Sequence, residues 1–207
     1  MKIQLVDRNE GMCDAWTTEF MDCDDVIIYC DDFFAPETDC IVSPANSFGF
    51  MDGGLDAAIS KHVGRQTETN VKAYIAKTDL KELLVGDAIT VQTGFPAIPY
   101  CISAPTMRVP MILANTPNVY LAAKAIFIEL KLLMQADSDV KSVTISGLGT
   151  GVGRVPYEIC ANQMKMAYDE VWLGKGTAPK TWFESQQRHQ MLFHIDINQT
   201  RDLQHPE

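Results

Sequence analysis

The sequence predicts a layered α/β domain, in which helices pack against a central β-sheet. Short apolar runs rich in β-branched residues alternate along the chain with longer segments of helical periodicity. Two of the predicted strands run into glycine-rich loops that lead directly into helices. The chain has 207 residues, of which 46% are hydrophobic and 21% charged. A domain of this size and composition buries a sufficient core without a metal ion or a disulfide.

Six apolar runs have the length and the residue content of buried strands. The predicted strands are Ile3–Asp7, Val26–Cys30, Cys40–Ser43, Asp87–Val91, Tyr100–Ala104 and Val140–Ser146. A turn rich in glycine and proline, at 93–99, separates the fourth strand from the fifth.

Five segments have patterns typical of helices. They are Gly11–Phe20, Leu55–His62, Thr69–Lys77, Asn118–Gln135 and Pro156–Leu173. The fourth is the clearest, because Leu121, Ala125, Ile128 and Leu132 form part of a wide apolar stripe. In the fifth, Pro156 suits the first helical turn, where the missing amide hydrogen is no loss.

The chain from Gly174 onward is polar, apart from a short apolar island at Met191–Ile197. Two interpretations of this segment remain open: an added helix with an edge strand, or a partly disordered extension. We expect Trp172, Trp182 and Phe183 to pack it onto the body of the protein. The sequence therefore predicts one domain at 1–173 and a C-terminal extension at 174–207.

Charge and composition exclude several classes of protein. The net charge of −10 argues against binding of extended nucleic acid, because neutralising a phosphate backbone needs clustered basic residues. No apolar run approaches the roughly 20 residues of a membrane span, and the N-terminus meets a charge too early for a signal peptide. We therefore expect a cytoplasmic protein without a membrane partner.

The cysteines and histidines predict neither disulfides nor a metal site. The six cysteines are scattered without a CxxC pair, and no histidine stands at metal-binding spacing from a cysteine or carboxylate. We therefore expect reduced, buried thiols and neither a metal ion nor a cofactor.

The first chemically informative segment is Cys40–Asp56. A buried strand ends at Ser43, and a loop with three glycines then enters a helix near Leu55. Ligands of α/β sheets bind beyond the carboxyl ends of strands, and the free amides of a helix N-terminus suit a phosphate group. Gly53 and Gly54 lack Cβ, so a ligand can approach their backbone closely.

The second informative segment, Ser146–Pro156, repeats the order of strand, glycine loop and helix. Neither loop matches a P-loop, and their positions after two distant strands fit poorly with a single Rossmann fingerprint. Two such loops in one domain indicate a two-sided grip on a diphosphate. The alternative for each loop is a tight turn without a ligand.

These residues resemble the signature of macrodomains, the ADP-ribose-binding family. The likeness rests on the segments Asp39–Asn46 and Gly53–Ile59, on the pair Asp31–Asp32, and on Gly149–Val152, which resembles the family's phosphate loop. It covers about residues 1–173. The resemblance implies a three-layer α/β/α fold with a mixed, largely parallel central sheet. It also implies a cleft that binds ADP-ribose or a close derivative.

The resemblance assigns roles to individual side chains. Asp32 would accept the adenine amino group, with the amide of Phe33 beside it. Asn46 would hold the distal ribose, and Asp56 stands ten residues later, as does the catalytic aspartate of the protein-deacylating members. Asn46 and Asp56 are thus the candidate catalytic residues. The other implied ligand contacts are Gly53, Gly54, Leu55, Gly149, Thr150, Gly151, Val152, Gly153 and Arg154.

The same side chains also have ordinary structural explanations. Asp32 fits a turn, Asn46 fits a loop residue of left-handed conformation, and Asp56 fits the first turn of a helix, where the helix dipole favours an acidic residue.

The chain departs from the family pattern in four places, one of which is Ser60, where the helix histidine of the family is absent. Ser43 replaces the first asparagine of the motif, and Met51 and Asp52 interrupt the glycine run. Gly153–Arg154 stand where the family has an aromatic residue followed by glycine, so the ribose loses an aromatic wall and gains a guanidinium group nearby. These differences favour ligand binding over deacylation.

Two functions remain open. As an enzyme, the protein would hydrolyse an ADP-ribose derivative, removing a 1″-phosphate or an acyl or protein ester, by attack of a water molecule on the distal ribose. As a binding module, it would read or sequester an ADP-ribose-type nucleotide without turnover. We favour the enzyme because Asn46 and Asp56 are both present. The expected partner is ADP-ribose or a related small nucleotide, and also an ADP-ribosylated protein, whereas the charge disfavours RNA ends and long poly(ADP-ribose).

Overall fold

A mixed sheet of six strands organises the part of the chain that this computed structural model describes, residues 1–137 and 139–194. The strands are β1 (Lys2–Asp7), β2 (Val26–Cys30), β3 (Cys40–Ser43), β4 (Ile89–Gln92), β5 (Tyr100–Ser103) and β6 (Ser142–Ile145). Their spatial order is β2-β1-β6-β3-β5-β4. All neighbouring strands are parallel except β4, which runs antiparallel to β5.

Helices cover both faces of this sheet. They are α1 (Glu10–Glu19), α2 (Gly54–Val63), α3 (Gln66–Ile75), α4 (Asn118–Ala136), α5 (Tyr157–Ala167) and α6 (Trp182–Met191). One apolar core lies between the sheet and α1, α4 and α5, and a second lies between the sheet and α2 and α3. The structure therefore confirms the three-layer α/β/α arrangement with a mixed, largely parallel sheet.

The strands alternate their side chains between the two cores. Cys40 and Val42 of β3 belong to the first core, whereas Ile41 between them belongs to the second. Because successive side chains of a strand point to opposite faces and both faces are covered, most positions of these strands are apolar. This explains why the sequence has continuous apolar runs where these strands lie.

A single carboxylate aligns β3 with β6. Oδ2 of Asp39 accepts hydrogen bonds from the amides of Lys141 and Ser142, both at 2.9 Å, and from the Ser142 hydroxyl at 2.8 Å. The pairing that follows is short, with Cys40 opposite Val143 and Ile41 opposite Thr144. Consequently the two strands end at the same edge of the sheet, and each continues there into a glycine-rich loop.

The last predicted helix of the body differs from its expected form. Its α-helical part ends at Ala167, and a π-helical turn, Tyr168–Trp172, continues it. The Tyr168 hydroxyl and the Trp172 indole both donate hydrogen bonds to the carboxylate of Asp25, just before β2. Because these two side chains reach the same carboxylate, the wider turn fastens the end of the segment to the sheet.

The C-terminal extension forms a helix, and one of the three side chains expected to pack it onto the body does not do so. The expectation that Trp182 packs onto the body is wrong, since this side chain is 77% exposed. Trp182 begins α6, and two contacts with the body lie at the other end of the helix. There Leu192 is 3% exposed, and the Asn162 side-chain amide donates to the Met191 carbonyl at 2.7 Å. The edge strand suggested for Met191–Ile197 falls partly outside the described residues.

The cysteines and the helix lengths agree in part with the sequence analysis. All six cysteines are free, and four are buried, but Cys30 is exposed and Cys23 is partly exposed. Within residues 1–137 and 139–194, no helix is long and apolar enough to cross a membrane.

The role of Asp39 predicts a measurable loss of stability in the variant Asp39→Ala. Removing the carboxylate leaves the amides of Lys141 and Ser142 without their acceptor, so we expect the free energy of unfolding to fall by about 2–3 kcal/mol. Urea denaturation measures this difference. The control is Asp22→Ala, at an exposed turn after α1. A loss equal to that of the control would contradict the alignment role.

Candidate ligand-binding cleft

A cleft of about 690 Å³ opens at the carboxyl-terminal edge of the sheet, within the usual size range of small-molecule sites. Each of the five parallel strands contributes to its walls. The contributing segments are 6–9 after β1, 32–34 after β2, 44–56 after β3, 106–110 after β5 and 146–153 after β6. This is the position that α/β sheets generally offer to a ligand.

The first loop of the cleft is closed by the side chain of Asn46. Its Nδ2 donates to the carbonyl of Phe50 at 2.7 Å, and its Oδ1 accepts from the amides of Phe48 at 3.1 Å and Phe50 at 3.3 Å. Gly49 within this turn has φ +71°, and a Cβ there would lie 2.7 Å from Val71. The Asn46 side chain therefore stabilises its own loop, and one of its two N–H groups stays available for a ligand.

The N-terminus of α2 forms the floor of the cleft below this loop. The predicted contacts Gly53, Gly54 and Leu55 all line the cleft. Gly53 is the capping residue of α2 and provides no side-chain acceptor for the amides of the first turn. A Cβ at Gly53 or Gly54 would meet no atom within 4 Å, so the space above them is open. This helix end can accept an anion.

The second loop depends on its glycines for its own shape. Gly149 has φ +69°, and a Cβ at Gly153 would lie 2.5 Å from the Gly149 carbonyl oxygen. The Thr150 hydroxyl donates to the carbonyl of Gly147 at 3.0 Å, inside the loop. Gly149, Thr150, Gly151, Val152 and Gly153 nevertheless line the cleft. The turn at 149–153 is therefore tightly packed within itself and also lines the cleft.

Arg154 lies outside the lining of the cleft. It is exposed and has φ 53°, which is unusual for a residue with a side chain. Its amide donates to the carbonyl of Gly151 at 3.1 Å, so its backbone closes the loop. Contact of the Arg154 guanidinium with a ligand stays a prediction.

In the segment of the cleft that follows β2, Asp32 is held as an ionised acceptor. Its Oδ1 accepts from the amide of Phe34 at 2.9 Å, and its Oδ2 forms an ion pair with Arg8. The Phe34 amide and then the Arg8 guanidinium lower the pKa of Asp32. The next residue, Phe33, is buried, and the ring of Phe34 stacks on His62 with centroids 4.0 Å apart.

Asp56 is a buried carboxyl group in the wall of the cleft. It is 8% exposed, and its Oδ1 accepts a hydrogen bond of 2.6 Å from the hydroxyl of Ser43, which is 1% exposed. Burial raises the pKa of Asp56 to about 6. The hydrogen bond from Ser43 opposes this rise, whereas the negative charges of Asp52 and Glu68 add to it.

Several lining residues were not recognised in the sequence. Arg8 and Asn9 follow β1, and Thr106 and Met107 follow β5, at the same edge as the two glycine loops. Their positions after the carboxyl ends of predicted strands could have identified them, because every parallel strand ends at this edge of the sheet. Phe34 had no signal beyond its position next to Asp32 and Phe33.

The described residues offer no cluster of three or more histidine, cysteine, aspartate or glutamate side chains that would hold a metal ion. The polar groups that line the cleft include backbone amides, the side chain of Arg8 and the carboxyl groups of Asp32 and Asp56.

The raised pKa of Asp56 has a consequence for stability. Because the folded protein binds this proton more tightly than the unfolded chain, the free energy of unfolding falls as the pH rises from about 4 through about 6. We therefore expect Asp56→Asn to be more stable than the parent at pH 7, by about 2–3 kcal/mol. Urea denaturation at pH 4 and at pH 7 measures the difference, which should vanish at the lower pH.

Asp87→Asn, at an exposed aspartate, is the matched control and should change stability little at either pH. A variant Asp56→Asn that is less stable than the parent at pH 7 would contradict the view that this carboxylate is buried at the expense of stability.

Comparison with known proteins agrees with this geometry. The Macro domain family profile matches residues 42–164, which is more than half of the chain. An uncharacterised protein of Aquifex aeolicus is 35% identical over 129 residues, covering 62% of this chain and 71% of its own length. One of Aeropyrum pernix is 28% identical over 131 residues, covering 62% of each chain, so the match spans less than two thirds of that relative.

Solved macrodomain structures share the fold. The macrodomain of Mycobacterium tuberculosis DarG has a TM-score of 0.51 at 23% identity, covering 68% of this chain and 87% of its own. The Oceanobacillus iheyensis macrodomain with ADP has a TM-score of 0.53 at 21% identity, covering 66% of this chain and 70% of its own. Since the family profile matches more than half of the chain and includes both glycine loops of the cleft, the chain belongs to the macrodomain family.

Proposed function

We propose that the cleft binds ADP-ribose or a close derivative, with the adenosine at Asp32 and the diphosphate between the two glycine loops. The observation that carries this proposal is that the uncapped N-terminus of α2 and the loop 149–153 line the same cleft. Both present backbone amides, which suit a diphosphate. Oceanobacillus iheyensis macrodomains of the same fold have been solved with ADP and with ADP-ribose.

The adenosine end of the cleft has the chemistry that an adenine base needs. An ionised Asp32 is a strong acceptor for an amino group, and each of its oxygens keeps a lone pair beyond its bonds to Phe34 and Arg8. The guanidinium of Arg8 also lines this end, where its planar surface can stack on a base.

The net charge of −10 does not oppose this binding mode. Backbone amides and the helix dipole attract an anion without any basic side chain, and they act only at short range. A compact diphosphate therefore meets a local positive potential, whereas a long polyanion meets the overall negative field.

We further propose that the protein hydrolyses an ADP-ribose derivative, and that Asp56 is the general base. With a pKa of about 6, this carboxylate is ionised at pH 7.5 and yet basic enough to take a proton from water. Asn46, the other candidate, already uses its carbonyl and one N–H to close its loop. Asp56 is thus the side chain in the distal half of the cleft that is best prepared for proton transfer.

Binding is tested by calorimetric titration with ADP-ribose, with AMP and ribose 5-phosphate as partial ligands. We expect micromolar affinity for ADP-ribose, about −8 kcal/mol, and much weaker binding of either part. Asp32→Ala should weaken binding at least tenfold, because it removes the acceptor of the adenine amino group. Asp22→Ala, at the exposed turn after α1 and outside the cleft, is the control and should stay within about twofold. Absence of heat with ADP-ribose would contradict the proposal.

Hydrolysis is tested with ADP-ribose 1″-phosphate and with ester-linked ADP-ribose, by following product release. Asp56→Asn should lower turnover by roughly 100-fold while the affinity for ADP-ribose stays within about threefold. Because this variant is expected to gain stability, unfolding cannot account for the loss. A parent protein that binds ADP-ribose but turns over neither substrate would instead be a non-catalytic reader of the nucleotide.

A further inference from the structure

Ser43 and Asp56 form a hydrogen-bonded pair across the two elements that meet below the first loop. Ser43 is the last residue of β3, and Asp56 lies in the first turn of α2. The Ser43 hydroxyl donates to Oδ1 of Asp56 at 2.6 Å, and both side chains are more than nine-tenths buried. A bond this short between a hydroxyl and a carboxylate oxygen is typical of a charge-assisted hydrogen bond.

We propose that Ser43 is the positioning residue of this site: its hydroxyl holds one oxygen of Asp56 so that the other oxygen is left for the water molecule at the distal ribose. The inference rests on the proposed hydrolysis for its catalytic part. The pairing of the two side chains can be tested without any turnover.

The groups around Asp56 show why the Ser43 hydroxyl matters for the charge of this carboxylate. Three titratable groups interact electrostatically with Asp56. They are Asp52 in the loop before α2, Glu68 on α3 and the Cys101 thiol on β5. One of these groups, Glu68, is itself paired with the cation Lys72 at 2.6 Å. The hydrogen bond from Ser43 is therefore the interaction that favours the ionised carboxylate, against burial and two negative charges.

The position of Ser43 also explains a departure of the sequence from the family pattern. A serine is shorter than the asparagine it replaces, and its rotatable hydroxyl can point straight at a carboxylate. Fixing Oδ1 restricts rotation of the Asp56 carboxyl group. A general base gains from such restriction because proton transfer needs the oxygen and the water within hydrogen-bond distance.

The test uses four variants of the full chain. Ser43→Ala removes the hydroxyl, Ser43→Thr keeps it, and Ser43→Cys replaces it by a weak donor of similar size. Ser103→Ala is the matched control, because Ser103 is equally buried, ends β5 and lies directly beside Ser43 in the sheet. The Asp56 carboxyl carbon is followed by NMR of protein labelled with ¹³C-aspartate, and Asp56→Asn assigns its signal.

We expect the Asp56 signal to titrate near pH 6 in the parent and about one pH unit higher in Ser43→Ala. Ser43→Thr should restore the parent value, and Ser103→Ala should not change it. If Ser43→Ala does not fold, Ser43→Cys should still raise the titration midpoint. An unchanged midpoint in both Ser43→Ala and Ser43→Cys would overturn the proposal.

Turnover provides the second readout. In Ser43→Ala we expect kcat to fall at least tenfold with KM within about threefold, and the acid limb of the kcat profile to move upward with the NMR midpoint. A loss of kcat without movement of that limb would overturn the role assigned to the hydroxyl. If the parent shows no turnover, hydrolysis fails as a function, while the NMR titration still decides whether Ser43 holds the carboxylate.

Discussion

The alignment of β3 with β6 by Asp39 is the constraint on which the cleft depends. These strands share only two paired positions, too few to fix their register by the ladder alone. The Asp39 carboxylate fixes it at their amino-terminal ends, through the amides of Lys141 and Ser142. The glycine loops leave from the opposite ends of the same two strands. A slip of one residue between β3 and β6 would point the side chains of one strand to the opposite face of the sheet. It would also move the amides of the two glycine loops apart by several ångströms.

Much of the fold could be predicted because local and global signals agree. The apolar runs of β1 to β6 and the long stripe of α4 are direct consequences of burial on one or two faces. The antiparallel direction of β4 follows from its short connection to β5 at 93–99. The exposure of Trp182 could not be predicted, since it depends on contacts between distant segments. The same holds for the site: the glycine loops have a local signature, whereas the use of the Asn46 side chain by its own loop and the pairing of Arg8 with Asp32 arise only in three dimensions.

Asp56 shows how a site can oppose the stability of its own fold. Burial favours the neutral acid, and the neighbouring Asp52 and Glu68 act in the same direction. Among the described residues, no cation offsets them by direct contact with Asp56, and a single hydroxyl supports the charge. An asparagine would be better tolerated here on structural grounds alone. A residue that destabilises the protein where it stands is a better indication of function than one that the fold requires.

The hydrogen bonds within the first loop have a consequence for selectivity. Because Asn46 ties its own carboxamide to Phe48 and Phe50, the turn has its final shape before any ligand arrives. A preorganised loop loses little conformational entropy on binding, so more of the contact energy appears as affinity. It also adapts poorly. In the proposed binding mode, a bulky group at the distal ribose would have to project outward past the exposed ring of Phe50. The cleft would then select ligands by the direction in which their substituents leave it.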